Sequence, residues 1–132
     1  MSKIKLLADQ PVVIQVIAVV VMPVIFGVIT GYSLSWSLYL YFALILASVA
    51  GGIAAGYEHK RALSGMLRVV VGASLFASGI ALGDWLSEAP ALLPLPELSV
   101  LLIINVIAGG VLGSIGGALR GRAHRKSLLQ VR

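Results

Sequence analysis

All ten lysines and arginines of this chain fall on one side of four long apolar runs. Lys3 and Lys5 precede the first run. Lys60, Arg61 and Arg68 cluster about the link between the second and third. Arg120, Arg122, Arg125, Lys126 and Arg132 follow the fourth. The two remaining connections carry acids only: Asp84, Glu88 and Glu97. Short cytoplasmic loops of membrane proteins retain Lys and Arg. The alternation therefore predicts an all-α integral membrane protein, a four-transmembrane-helix bundle with both N and C termini in the cytoplasm.

Composition leaves little room for another class. Of the 132 residues, 59% are hydrophobic and 11% charged, against about 25% charged in an ordinary soluble domain. Four spans of about 20 residues each use most of the length, so residues 1–132 form a single four-span membrane domain. With no cysteine, disulfides, thiolate metal sites and cysteine nucleophiles are excluded. The net charge of +5 borders apolar spans, which points to anionic lipid headgroups at the cytoplasmic face as partner, and not to nucleic acid. The expected location is a bacterial or archaeal cytoplasmic membrane. The first run is long enough to span and is followed by no small-residue cleavage site, so it reads as a retained helix.

The expected spans are Pro11 to Gly31, Leu38 to Tyr57, Gly65 to Trp85 and Leu98 to Leu119, with 120–132 a short basic cytoplasmic tail that extends span four or lies along the membrane. Asp9 and Ser64 are candidate caps. Pro23 sits mid-span, removes one backbone hydrogen bond and predicts a kink. Tyr32, Trp36, Tyr39, Tyr41 and Trp85 gather at the outer level as an aromatic belt. The outer link 86–97, with Pro90, Pro94 and Pro96, predicts a stiff extended crossing.

Lipid offers helices no hydrophobic drive to associate, so close contact between small residues has to hold them. Gly27 and Gly31 continue a four-residue stripe from Pro23. Gly52 and Gly56 do so in span two, and Gly109, Gly113 and Gly117 in span four. In span three the spacing is seven, through Gly65, Gly72 and Gly79. This glycine-zipper pattern predicts small-residue helix packing, with more adhesive faces than one bundle uses, and hence a homo-oligomer.

Polar residues within the spans are few. Glu58, His59 and Arg68 form a cluster expected at a cytoplasmic mouth, with Glu58 and Arg68 the natural ion pair. Gln15, Asn105, Ser74 and Ser78 lie deeper and serve either as interhelical hydrogen-bonding groups or as parts of a polar path. No acid sits mid-membrane. The two histidines, His59 and His124, lie at the inner edge, and no Ser/His/Asp set shares a depth. The expectation is no catalytic residue, no metal and no cofactor. The function expected is a non-enzymatic homo-oligomeric pore or small-solute or ion conduit. The alternative is a structural or accessory subunit docking onto a larger membrane complex.

Overall fold

The computed structural model describes residues 10–59 and 61–129, with side chains as far as 126. Lys3, Lys5, Asp9, Lys60 and Arg132 fall outside the described residues. The described chain is all helical. We label four helices α1 (Val12–Ser33), α2 (Leu38–Tyr57), α3 (Ala62–Leu86) and α4 (Leu98–Leu129). All four are long and apolar enough to cross a membrane.

The boundaries follow local chemistry. Ser37 adopts an extended conformation and its hydroxyl accepts from the Leu40 N–H at 3.3 Å, which starts α2 at Leu38 as expected. The third helix begins three residues earlier than the sequence suggested. Arg61, in extended conformation, holds the N-cap position without a side-chain cap, so Ser64 is inside the helix and does not cap it. The fourth helix runs ten residues past Leu119. Its apolar stretch ends there, but no proline follows, and the Arg, Ala, Lys and Leu residues beyond it favour helix enough to carry Gly121 and His124. At about 1.5 Å per residue its 32 residues reach about 48 Å, well beyond a hydrocarbon core of about 30 Å.

Pro23 leaves its mark as a change of helical winding. It has no N–H to give Val19, and its ring crowds that carbonyl. The preceding turn, Ile17–Val21, is a π-helix in which the Met22 N–H reaches the Ile17 carbonyl five residues back. The extra residue in the turn accommodates the proline without breaking the helix.

Helix order in space differs from order in sequence. α3 is the spine: α1 packs along one side of it and α4 along another, and α2 leans mainly on α4. Among the described residues α1 and α4 do not meet. Val12–Val16 touches no other helix, and Ile17–Val21 meets only α3. α1 and α2 touch only along Met22–Ser33, the half of α1 that leads into their turn. Towards the end that carries the α1–α2 turn, Phe76, Ala77, Ile80 and Leu101 form a buried cluster, with Phe26, Ile45 and Leu95 against it. The rings of Phe26 and Phe76 stack at 5.9 Å. The turn 33–37 is held from outside: the Leu92 N–H donates to the Leu34 carbonyl, and the Ser87 hydroxyl donates to Ser35 Oγ at 2.6 Å. The proline-rich link thus lies across the turn that joins α1 to α2.

At several crossings the backbones approach to where a side chain would not fit. A Cβ built on Gly79 meets the Val24 carbonyl oxygen at 2.6 Å, and one on Gly83 would collide with the Val28 carbonyl oxygen. Gly27 and Gly31 stand equally close to the Phe76 and Ile80 carbonyls across the same interface. At the other end Gly56 and Gly65 both face Gly113, with built Cβ atoms 2.6 and 2.7 Å from its carbonyl oxygen. Gly51 is the opposite case, with nothing within 4 Å. Alanine at Gly83 is therefore expected to lower stability by about 1–3 kcal/mol, because the obstacle is backbone and cannot rotate away. Alanine at Gly51 is expected to be neutral or to gain up to about 1 kcal/mol from helix propensity. Thermal unfolding of the two variants in one detergent checks the contrast.

Candidate functional site

Because α1 and α2 part below their turn, the bundle keeps a lateral cleft of about 570 Å³ between them. Val19, Met22, Pro23 and Phe26 form the α1 wall. Ile45, Ser48, Gly51, Gly52 and Ala55 form the α2 wall. Val69, Gly72, Ala73 and Phe76 from α3, with Leu101, Asn105, Gly109 and Leu112 from α4, make the floor. The volume is that of a small-molecule site, and an apolar lining with a few placed polar groups is the usual pattern of one.

Glycine creates the room. A Cβ on Gly72 would find only the Pro23 ring, at 3.8 Å, and one on Gly51 would find open space. Gly52 is tighter, with Leu112 Cδ1 at 3.3 Å, and Gly109 faces the Ala73 Cβ at 2.7 Å. The seven-spaced glycines of α3 therefore do not serve one partner. Gly65 faces α2 and α4, Gly79 faces α1, and Gly72 opens into the cleft. A seven-residue repeat drifts by about 20° around a straight helix, so it cannot hold one line across two interfaces.

Arg68 stands at the end of the cleft nearest the α2–α3 turn. Its side chain is 14% exposed, and Nη2 lies 3.5 Å from Oε2 of Glu58, whose side chain as a whole is 36% exposed. Both Arg68 Nε and Glu58 Oε2 are buried without a hydrogen bond. The pair is a charge contact with unused donors and acceptors, not a bidentate fork. Glu58 ends α2, and the adjacent His59 places Nδ1 3.3 Å from the Ala55 carbonyl oxygen. Beyond it, Arg120 of α4 lies 5.6 Å from the centre of the Tyr57 ring.

The deeper polar residues are not gathered into one path. Asn105 lines the cleft, but its amide donates to the Leu101 carbonyl of its own helix at 2.9 Å. Ser48 also lines it and donates to the Ile45 carbonyl at 2.7 Å. Ser74 and Ser78 stand outside the cleft lining and donate to the Val70 and Ser74 carbonyls. Gln15 lies near the start of α1, outside the cleft, with its amide donating to the Gln10 carbonyl at 2.8 Å. Back-bonding of this kind is open to any short polar side chain in a helix, and sequence spacing does not reveal it. The cleft residues with no polar signature, Gly51, Gly72 and Phe76, were not among the sequence candidates as cavity-lining groups. The signal that points to them is glycine unmatched by any facing backbone, which appears only with coordinates.

Among the described residues no three His, Asp or Glu side chains come together as a metal site would need. The chain matches no protein-family model, no curated protein and no solved structure.

Since Asn105 is satisfied within its own helix, Asn105→Leu is expected to leave the thermal midpoint in detergent nearly unchanged, by less than about 1 kcal/mol. A large loss of stability would show instead that the amide holds another helix.

Proposed function

We propose that the protein is a non-enzymatic membrane protein that takes small, largely apolar solutes into the cleft between α1 and α2 and acts as a conduit for them, working as a homo-oligomer. The observation that carries this reading is the cleft itself: about 570 Å³, mostly apolar, with its charge confined to one end. A water-filled ion pore through a single bundle fits less well. The hydroxyls and amides that would line one are turned to their own backbones, and the link 87–95 lies over the outer end. Glycine-lined crossings of the zipper kind give the helices their close approach. Exposed faces such as that of Val12, Val13 and Val16 leave surface for further copies of the chain.

In this reading both termini and the Arg61 link face the cytoplasm, as the distribution of Lys and Arg implies. Anionic headgroups then meet Arg120, Arg122, Arg125 and Lys126 on the inner extension of α4. The rival reading, an accessory subunit of a larger membrane complex, draws on one observation. The first turns of α1 are apolar, exposed and in contact with no other helix. A larger partner that co-purifies in mild detergent would favour it over the homo-oligomer.

Proteoliposomes are expected to exchange a lipophilic dye such as rhodamine 6G faster than protein-free vesicles, and Gly72→Leu, which fills the cleft, is expected to abolish the difference. Equal rates with and without protein would remove the conduit. In cells, cysteines introduced at Arg61 and Glu88 are expected to react with a membrane-impermeant maleimide on opposite sides. Labelling from one side would overturn the topology.

A further inference from the structure

The two ends of the cleft are chemically unlike. The inner end holds a guanidinium at 14% exposure whose Nε has no hydrogen bond and whose charge partner stands at 3.5 Å. The rest is mostly apolar wall, with Ser48 and Asn105 bonded to their own helices, and it reaches past Ile45 to Tyr41, Phe76 and Leu101. From Ala55 to Tyr41, both in the lining, α2 rises about 21 Å at about 1.5 Å per residue. One leaflet's share of a hydrocarbon core is about 15 Å. The trough therefore has the length of an acyl chain, and it opens sideways where α1 and α2 separate.

We propose that the cleft is a resident site for one acyl chain of an anionic phospholipid, drawn from the leaflet level with Arg68, with the phosphate held by the Arg68 guanidinium. A guanidinium offers five donors in a planar fork that fits two phosphate oxygens at once. Arg68 spends that capacity on one long contact to Glu58, in a setting where an unused charged donor is costly. A phosphate oxygen at Nε and a second at Nη2 supply the missing acceptors. Glu58, half-exposed at the mouth, is the group the phosphate displaces. The polarity also fits: the charge lies on the cytoplasmic side in the orientation proposed above, and the apolar trough runs from it towards the membrane centre. Gly72 and Gly51 keep floor and wall free of side chains along the path of the chain. The proposal uses the same cleft as the conduit reading but requires no flux, so loss of lipid retention and loss of dye exchange report on different claims.

The test is to reconstitute the purified protein into vesicles of equimolar phosphatidylglycerol and phosphatidylcholine with identical chains. The protein is then extracted in mild detergent and its bound phospholipid counted by native mass spectrometry. The wild type is expected to keep one phosphatidylglycerol per protomer in preference to phosphatidylcholine. Arg68→Gln is expected to cut that preference by about tenfold or more, the scale of a charge-assisted contact. Glu58→Gln, which removes the competing carboxylate, is expected to raise it. Gly72→Leu is expected to lose both lipids although Arg68 is intact. Equal retention of the two lipids by the wild type overturns the proposal. So does unchanged preference in Arg68→Gln, or a lipid-free dimer whose cleft is closed by the second copy. Should Arg68→Gln fail to elute as a monodisperse helical species, Gly72→Leu decides: retention at the wild-type level overturns the proposal.

Discussion

Backbone contact along α3 governs the rest of this structure. In hydrocarbon, apolar side chains gain nothing by turning from lipid to protein, so what fixes helices is how closely their backbones can approach. α3 offers that approach in two directions: Gly79 and Gly83 to α1, and Gly65 to Gly56 and Gly113 of α2 and α4. With both faces taken, α1 and α4 are held apart, and α2 finds most of its support on α4. The cleft is the space left over. It follows from which pairs of helices can touch, with no residue needed to prop it open.

The same logic explains why the cleft lies where it does along the helices. At one end the turn 33–37 ties α1 to α2, the link 87–95 lies over it, and large side chains such as Phe26, Phe76 and Leu101 fill the centre. Further in, that tie is gone, α1 passes through its π turn, and the facing positions Gly51 and Gly72 carry no side chain. Arg68 is the one cation in the lining. It sits where the trough ends, close enough to Glu58 for attraction but without the hydrogen bonds that would saturate it.

Much of the architecture was legible in the sequence because hydropathy and helix ends are local properties. Four apolar runs became four helices, and Ser37 set the start of α2 at the expected residue. Where local signals misled, another term prevailed. Ser64 has the chemistry of a cap, but the chain is already helical at Ala62. Of the two courses open to the basic tail, α4 takes the first and continues past Leu119. Pro23 announced an irregularity but not its form, since a kink and a π turn both answer a missing N–H. The meeting of Glu58 and Arg68 could be read from the short turn between α2 and α3. The cleft could not. Gly72 and Gly79 look alike in sequence, and only the facing helix separates a glycine that permits contact from one that leaves a hole. Asn105 and Ser74 likewise carry no mark of whether they will bond across an interface or back to their own turn.

The central claim is that the bundle keeps a trough, floored by α3, into which acyl chains enter from the side. Phe76 lines that trough and is only 7% exposed. A variant with tryptophan at position 76, and with Trp36 and Trp85 replaced by phenylalanine, reports on it directly in vesicles whose lipids are brominated along their chains. Strong quenching of the lone tryptophan relative to unbrominated vesicles is the predicted result. Equal emission in the two kinds of vesicle would mean that no chain reaches the floor, and would contradict the account.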